Sequence, residues 1–191
     1  MRQAGLEGQR VQGTDRDFQE PLTAHAALAG CYTGITVNRP RVIVDVNLIL
    51  RRDRSLLLGR RCNTEFANGC YSLPAGHLDL GESVIGALVR EAKEELGILV
   101  AEEDARFVQV MHNSYGVGRL AMFFEVSRWR GEASNMEPDK CDDLRWFPMT
   151  ALPNNMIPYI REAIEHYLLQ PEACLTLYGW NASSDTVQFG G

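Results

Sequence analysis

Several things are missing from this chain, and each absence removes a class of function. No apolar run approaches the ~18–20 residues that a bilayer-crossing helix needs, so no membrane segment is expected. No signal peptide opens the sequence, which leads to the expectation of a cytoplasmic protein. Basic residues are outnumbered: 19 Lys and Arg stand against 25 Asp and Glu, a formal net charge of -6. That balance disfavours an extended nucleic-acid surface. It leaves room for a small anionic ligand, because a bound metal ion supplies positive charge locally. Cysteines are few and scattered: Cys31, Cys62, Cys70, Cys141 and Cys174. Their odd number and wide spacing give neither a disulfide framework nor a C-x-x-C zinc site. No internal repeat or linker divides the chain. Its 191 residues, 45% of them hydrophobic, suffice for one domain with one core.

What is present is concentrated between Ala75 and Ile98. The spacing predicts a loop that opens at Gly76 and turns at Gly81, then a helix from Ser83, its N-cap, to Gly97, its left-handed stop. Val84, Ile85, Leu88, Val89, Ala92 and Leu96 fall on one apolar arc. On the border of that arc, Glu91, Glu94 and Glu95 share one surface, with Cβ atoms about 5–6 Å apart. Like charges so placed repel one another, the more so when half-buried. A divalent cation reverses the sign of that interaction. Carboxylate oxygens without nearby thiols or imidazoles suit Mg²⁺, or Mn²⁺ in its place, rather than zinc. A bare triplet of this kind is also consistent with a solvated acidic face.

The surrounding spacing decides between these. Gly76, five residues, Glu82, seven residues, Arg90-Glu91, two residues, Glu94-Glu95, one residue, then Gly97 and Ile98 resembles the Nudix box, G-x5-E-x7-R-E-U-x-E-E-x-G-U. A chance match at all the fixed positions is on the order of one in 10⁸ per window, so the acids are read as a functional set. The resemblance implies an α/β fold, the Nudix α/β/α sandwich with a mixed β-sheet between helices. It implies metal-dependent hydrolysis of a nucleoside diphosphate linked to another moiety. A nucleoside or deoxynucleoside triphosphate, cleaved to monophosphate and pyrophosphate, is the first expectation. A non-catalytic nucleotide sensor on the same fold, and a hydrolase of ADP-ribose or dinucleoside polyphosphates, are the alternatives. An isoprenoid diphosphate isomerase would need a different arrangement of cysteine and glutamate.

The resemblance also assigns roles. Glu91, Glu94 and Glu95 hold the metal, with the carbonyl of Ala75 completing its shell. Glu94 or Glu95 accepts the proton of water, Glu82 supports a second metal or its water, and Arg90 keeps the acids from splaying. Arg60 and Arg61 follow a strand from which such enzymes reach phosphates; a strand-end exposed pair is equally consistent. Phe66 lies in a loop whose aromatic stacks on a base, for ~1–3 kcal/mol, or plugs the core. Glu137 is the candidate for a further metal carboxylate, with Asp139 and Asp142 behind it. Asn154 and Asn155 border the expected base pocket or serve as turn residues.

In chain order, residues 1–40 read as a mobile arm, 41–170 as the Nudix domain, and 171–191 as a tail. Arg41–Leu50 and Ser55–Gly59 form a hairpin across Asp53-Arg54, and Tyr71–Pro74 is a short strand. Strands follow over Arg106–His112, Leu120–Trp129 and Leu144–Phe147. A helix over Pro158–Leu169 turns Ile160, Ala163, Ile164, Tyr167 and Leu168 inward. Tyr178, Trp180 and Phe189 suggest a tail that orders on contact, at a homodimer interface.

Overall fold

The computed structural model describes residues 41–115, 118–170, 172–180 and 187–188. The arm expected over 1–40, residues 116–117, and residues 171, 181–186 and 189–191 of the tail, Phe189 included, lie outside the described residues.

The longest strand, β1 (Ile43–Arg52), is the axis of the fold. Val46, Leu48 and Leu50 point to one face and Ile49 to the other, all buried, as befits a strand covered on both sides. The chain reverses at Asp53, which takes φ 53°, and returns as β2 (Ser55–Arg61). β2 is flanked by β3 (Tyr71–Ser72) and β7 (Cys141–Pro148), both antiparallel to it. On its other side β1 runs parallel to β6 (Arg119–Val126). β5 (Ala105–Asn113) pairs antiparallel with β6 and parallel with β8 (Cys174–Tyr178), and β9 (Val187–Gln188) closes that edge. Among the described residues the mixed sheet has 9 strands: seven in the order β3-β2-β1-β6-β5-β8-β9, with β7 on β2 and one further short strand on β1 lying off that path.

Two segments depart from the sequence reading. Ala75–His77, expected as loop, is a strand (β4) paired antiparallel to the first half of β1. Cys174–Tyr178, assigned to the tail, is β8 and belongs to the sheet, with Cys174 and Thr176 buried.

A helix covers each face. α1 (Val84–Leu96) starts where the Ser83 hydroxyl accepts the Gly86 N–H at 2.9 Å, and ends at Gly97 with φ 69°. Its Ala87, Leu88, Ala92 and Leu96 pack on Val46, Leu48, Leu50, Phe124 and Val126. α2 (Pro158–Leu169) begins with proline in its first turn, where the missing N–H costs nothing. Ile160, Ala163, Ile164 and Tyr167 pack on Ile49, Met111 and Phe123 on the opposite face. Leu168, expected inward, is 41% exposed, because it lies a quarter-turn from the centre of that stripe. Each fully buried Leu or Ile contributes roughly 1.5–3 kcal/mol, so the two apolar layers hold the helices to the sheet. The architecture is the α/β/α sandwich the sequence implied. No described helix is long and apolar enough to cross a membrane.

Candidate active site

The acidic border of α1 is organised by Arg90. Its Nη2 and Nε donate to the two oxygens of Glu82 at 2.8 and 3.2 Å. Nη1 donates to Glu91 at 2.6 Å and to Glu94 at 3.1 Å, while Nη2 also reaches the carbonyl of His77 at 2.9 Å. These carboxylates, Glu82 first, push the guanidinium pKa above its ordinary value. The same bond from Arg90, with the Asp79 N–H, holds Glu82 below the usual carboxylate range. One cation thus fastens three acids and the strand that precedes the helix.

Gly76 is required by this packing. A Cβ there would stand 1.8 Å from a carboxylate oxygen of Glu91, so only glycine lets that acid lie against the backbone of β4. Glu95 points inward beside it and accepts the Ala75 N–H at 3.1 Å. Burial, then the charges of Glu91 and Glu137, push its carboxyl up to about 8, against the Ala75 N–H and Lys140. Lys140 is bonded to Glu137 at 2.8 Å. Glu95, Glu137, Ala75, Lys140 and Arg60 line a small cavity of about 90 Å³.

A hard divalent ion fits this donor set: every side-chain donor is a carboxylate, and burial, then the neighbouring carboxylates, push the Glu95 carboxyl up where no cation offsets them. Among the described residues no three acid, imidazole or thiol groups converge as a finished ligand cage. Arg90 holds Glu91 and Glu94, and Lys140 holds Glu137, in the positions a cation would compete for.

Beside the small cavity opens a cleft of about 640 Å³, and Arg61, Ser72 and Ala75 line both. Arg61 is steadied by a bond from its Nε to the Phe66 carbonyl at 3.0 Å, whereas Arg60 is paired with Asp142 at 2.7 Å. Phe66 is 42% exposed and its ring lies 5.6 Å from that of Tyr115 at the mouth of the cleft, so it is no core plug. Asn154 and Asn155 are not brought into the cleft. Asn155 donates from Nδ2 to the Gly69 carbonyl at 2.7 Å and accepts the Tyr71 N–H at 2.8 Å, bracing the entry to β3. Asp139 uses its carbonyl to accept Asn63 Nδ2 at 3.0 Å.

The residues that sequence reasoning missed are Asp45, His77 and Arg119. Arg119 donates to both oxygens of Asp45, at 2.6 and 2.7 Å, and His77 Nδ1 lies 2.7 Å from Asp45 Oδ1. All of them line the cleft. One signal existed: Asp45 and Asn47 interrupt an otherwise apolar strand, where a buried charge demands a partner.

A family model described as the NUDIX domain matches residues 39–167. The chain is 30% identical over 156 residues to the NAD-capped RNA hydrolase NudC of Chromobacterium violaceum, covering 81% of this chain and 55% of that protein. A shorter match, 45% identical over 60 residues, covers 31% of this chain and 34% of an ADP-ribose pyrophosphatase from Methanocaldococcus jannaschii. The chain spans about half the length of the curated relatives it matches. Among solved structures, the MutT NUDIX hydrolase from Burkholderia pseudomallei superposes with a TM-score of 0.60 at 30% identity, over 65% of this chain and 97% of that one. The MutT protein from Methanosarcina mazei Go1, at 19% identity, shares the fold with a TM-score of 0.61, over 72% of this chain and 99% of that one. Its box, its sandwich and these matches together place the chain in the Nudix hydrolase family.

Proposed function

We propose that this chain hydrolyses the diphosphate of a nucleoside diphosphate joined to a second group, with Mg²⁺ as cofactor and Mn²⁺ as a substitute. The observation that carries the reading is the junction at Ala75–Gly76, where Glu91 and Glu95 of the box helix meet the floor of an open cleft. Glu91, Glu94, Glu95, Glu137 and the Ala75 carbonyl are the groups that would hold the metal. Bound there, it supplies neutralisation of phosphate charge and a lowered pKa for the attacking water.

The chain's own residues do the rest. Arg90 sets the spacing of Glu82, Glu91 and Glu94 so that the acids face one site. Glu94 or Glu95 takes the proton of the attacking water, and a carboxyl raised towards neutrality, as Glu95 is, suits a proton acceptor. Arg61, at the boundary of the two cavities, and Arg60, in the wall of the smaller one, hold phosphate oxygens. Phe66, with Tyr115, stacks on a ring at the mouth.

The size of the cleft falls within the ~300–1,000 Å³ that whole small ligands occupy, and the curated relatives act on NAD-capped RNA and ADP-ribose. Both favour a second nucleoside or sugar beyond the diphosphate over a simple triphosphate. The triphosphate, the first expectation from the sequence, becomes the second reading. A capped RNA would enter by its end alone, since a net charge of -6 suits no long nucleic-acid track.

The test is a substrate panel of NAD, ADP-ribose and nucleoside triphosphates with Mg²⁺, the products identified by mass. Cleavage within the diphosphate of NAD or ADP-ribose supports the first reading, and pyrophosphate release from triphosphates alone the second. Tight nucleotide binding with no metal-dependent product would instead make the chain a sensor.

A further inference from the structure

The cluster of Asp45, His77 and Arg119 is built across adjacent strands and serves no evident packing need. Asp45 of β1 faces His77 of β4 directly in the antiparallel register, and Arg119 enters from β6 on the other side. Asp45 is 7% exposed and both its oxygens are taken, one by Arg119 Nε, the other by Arg119 Nη2 and the His77 ring. A buried carboxylate gripped by a bidentate arginine is satisfied and has little left to offer a ligand. His77 is the opposite case. Its side chain is 65% exposed, in the cleft, and among the described residues it is anchored at Nδ1 alone.

That anchor decides what the ring presents. An ionised Asp45 accepts and cannot donate, so the neutral imidazole carries its proton on Nδ1 and turns the lone pair of Nε2 outward. A phosphate oxygen at neutral pH has no proton to give such an acceptor. A hydroxyl has one.

Position narrows the hydroxyl further. Successive side chains of a strand leave by opposite faces. Gly76 turns its bare Cα to Glu91 on the α1 side, while His77, the next residue, turns into the cleft. A substrate whose phosphates lie at the Glu91–Glu95 edge therefore brings its next group, the sugar, over His77. Resting on the function proposed above, we infer that His77 is a specificity residue that accepts a hydrogen bond from a ribose hydroxyl of the substrate. Asp45 is its positioning residue, fixing the tautomer, and Arg119 holds Asp45 in place.

The experiment compares kcat/KM for ribose, 2′-deoxy and 3′-deoxy forms of the cleaved substrate, in the full chain with Mg²⁺. The wild type is expected to prefer ribose over one of the deoxy forms by roughly tenfold. His77→Phe should bring that ratio to near one, by weakening the ribose form and sparing the deoxy form. Asp45→Ala removes the carboxylate that anchors the ring at Nδ1, and should lower the preference as well. A ratio equal in wild type and His77→Phe, with both substrates slowed alike, makes His77 structural and overturns the inference. So does a wild type indifferent to both hydroxyls. Binding of ADP and its 2′- and 3′-deoxy forms in EDTA gives the same ratios without turnover. If no panel member is cleaved, the proposed activity fails while that binding comparison still judges His77; failure of every diphosphate to bind overturns both. Melting curves of each variant establish that it is folded.

Discussion

At the scale of single residues, the site holds one acid in a state its surroundings force on it. Glu95 binds a proton up to about 8 in the folded chain, against 4.5 when unperturbed, because it is buried beside Glu91 and Glu137. A raised folded-state pKa stabilises fully below the unfolded value and loses that contribution as pH rises through the folded one. Metal-free protein should therefore melt at progressively lower temperature between pH 4.5 and about 8, and Glu95→Gln should flatten that part of the profile. Added Mg²⁺ or Mn²⁺ should restore the melting temperature most at the alkaline end. Identical slopes for wild type and Glu95→Gln in EDTA would refute the assignment. A second prediction concerns Gly76. The atom that a new Cβ would strike is the tip of the Glu91 side chain, which can swing away. Gly76→Ala should therefore leave the melting temperature nearly unchanged, yet lower kcat/KM by about a hundredfold or more, since Glu91 no longer faces the site. Residue by residue, legibility followed sequence distance. Arg90, Glu91, Glu94 and Glu95 are neighbours on one helix, and their spacing alone puts them together. Asp45 and Arg119 lie 74 positions apart and meet only because β1 and β6 pair, which no local pattern announces. Asn154 and Asn155 were readable as base-edge groups or as turn residues; for Asn155 the bond to the Gly69 carbonyl, 86 positions away, settles its part as a brace, and no local pattern announces that partner.

Elements were readable where they carried punctuation. α1 could be bounded to the residue, since Ser83 and Gly97 supply a cap and a left-handed stop. The cap can be checked by itself: Ser83→Ala orphans the Gly86 N–H and should lower the unfolding free energy in urea by about 1 kcal/mol. An unchanged urea midpoint would mean that the helix start is held by Arg90 and its acids instead. β4 had no such marks. Its three residues, Ala-Gly-His, are too short to alternate and contain a glycine, so propensity argued for a loop; pairing with β1 overrode it. Leu168 shows the limit of periodicity: a residue a quarter-turn from the centre of the stripe passes as part of it, yet stays exposed.

For the whole molecule, the sandwich was implied by the resemblance to the Nudix family, and its two amphipathic helices were legible in the hydrophobic pattern. The far edge was not, because Cys174–Tyr178 becomes a strand only by lying parallel to β5, far away in the chain. Ending the protein at Gln170 should therefore do more than trim a tail. It would uncover the edge of β5 together with buried residues that β8 covers, and remove Tyr178 from the cleft. The shortened chain should show a lower urea midpoint and a tendency to aggregate, whereas a dispensable tail would leave both as they were. The opposite margin has its own consequence. Among the described residues β4 pairs with β1 alone, and the acids and His77 are all referenced to its backbone. A fluctuation that peels off this short ribbon would silence the enzyme while both hydrophobic layers stayed shut. Loss of activity on warming would then precede the collapse of the native state, and a ligand that clamps the ribbon would widen the range of temperatures over which the protein works.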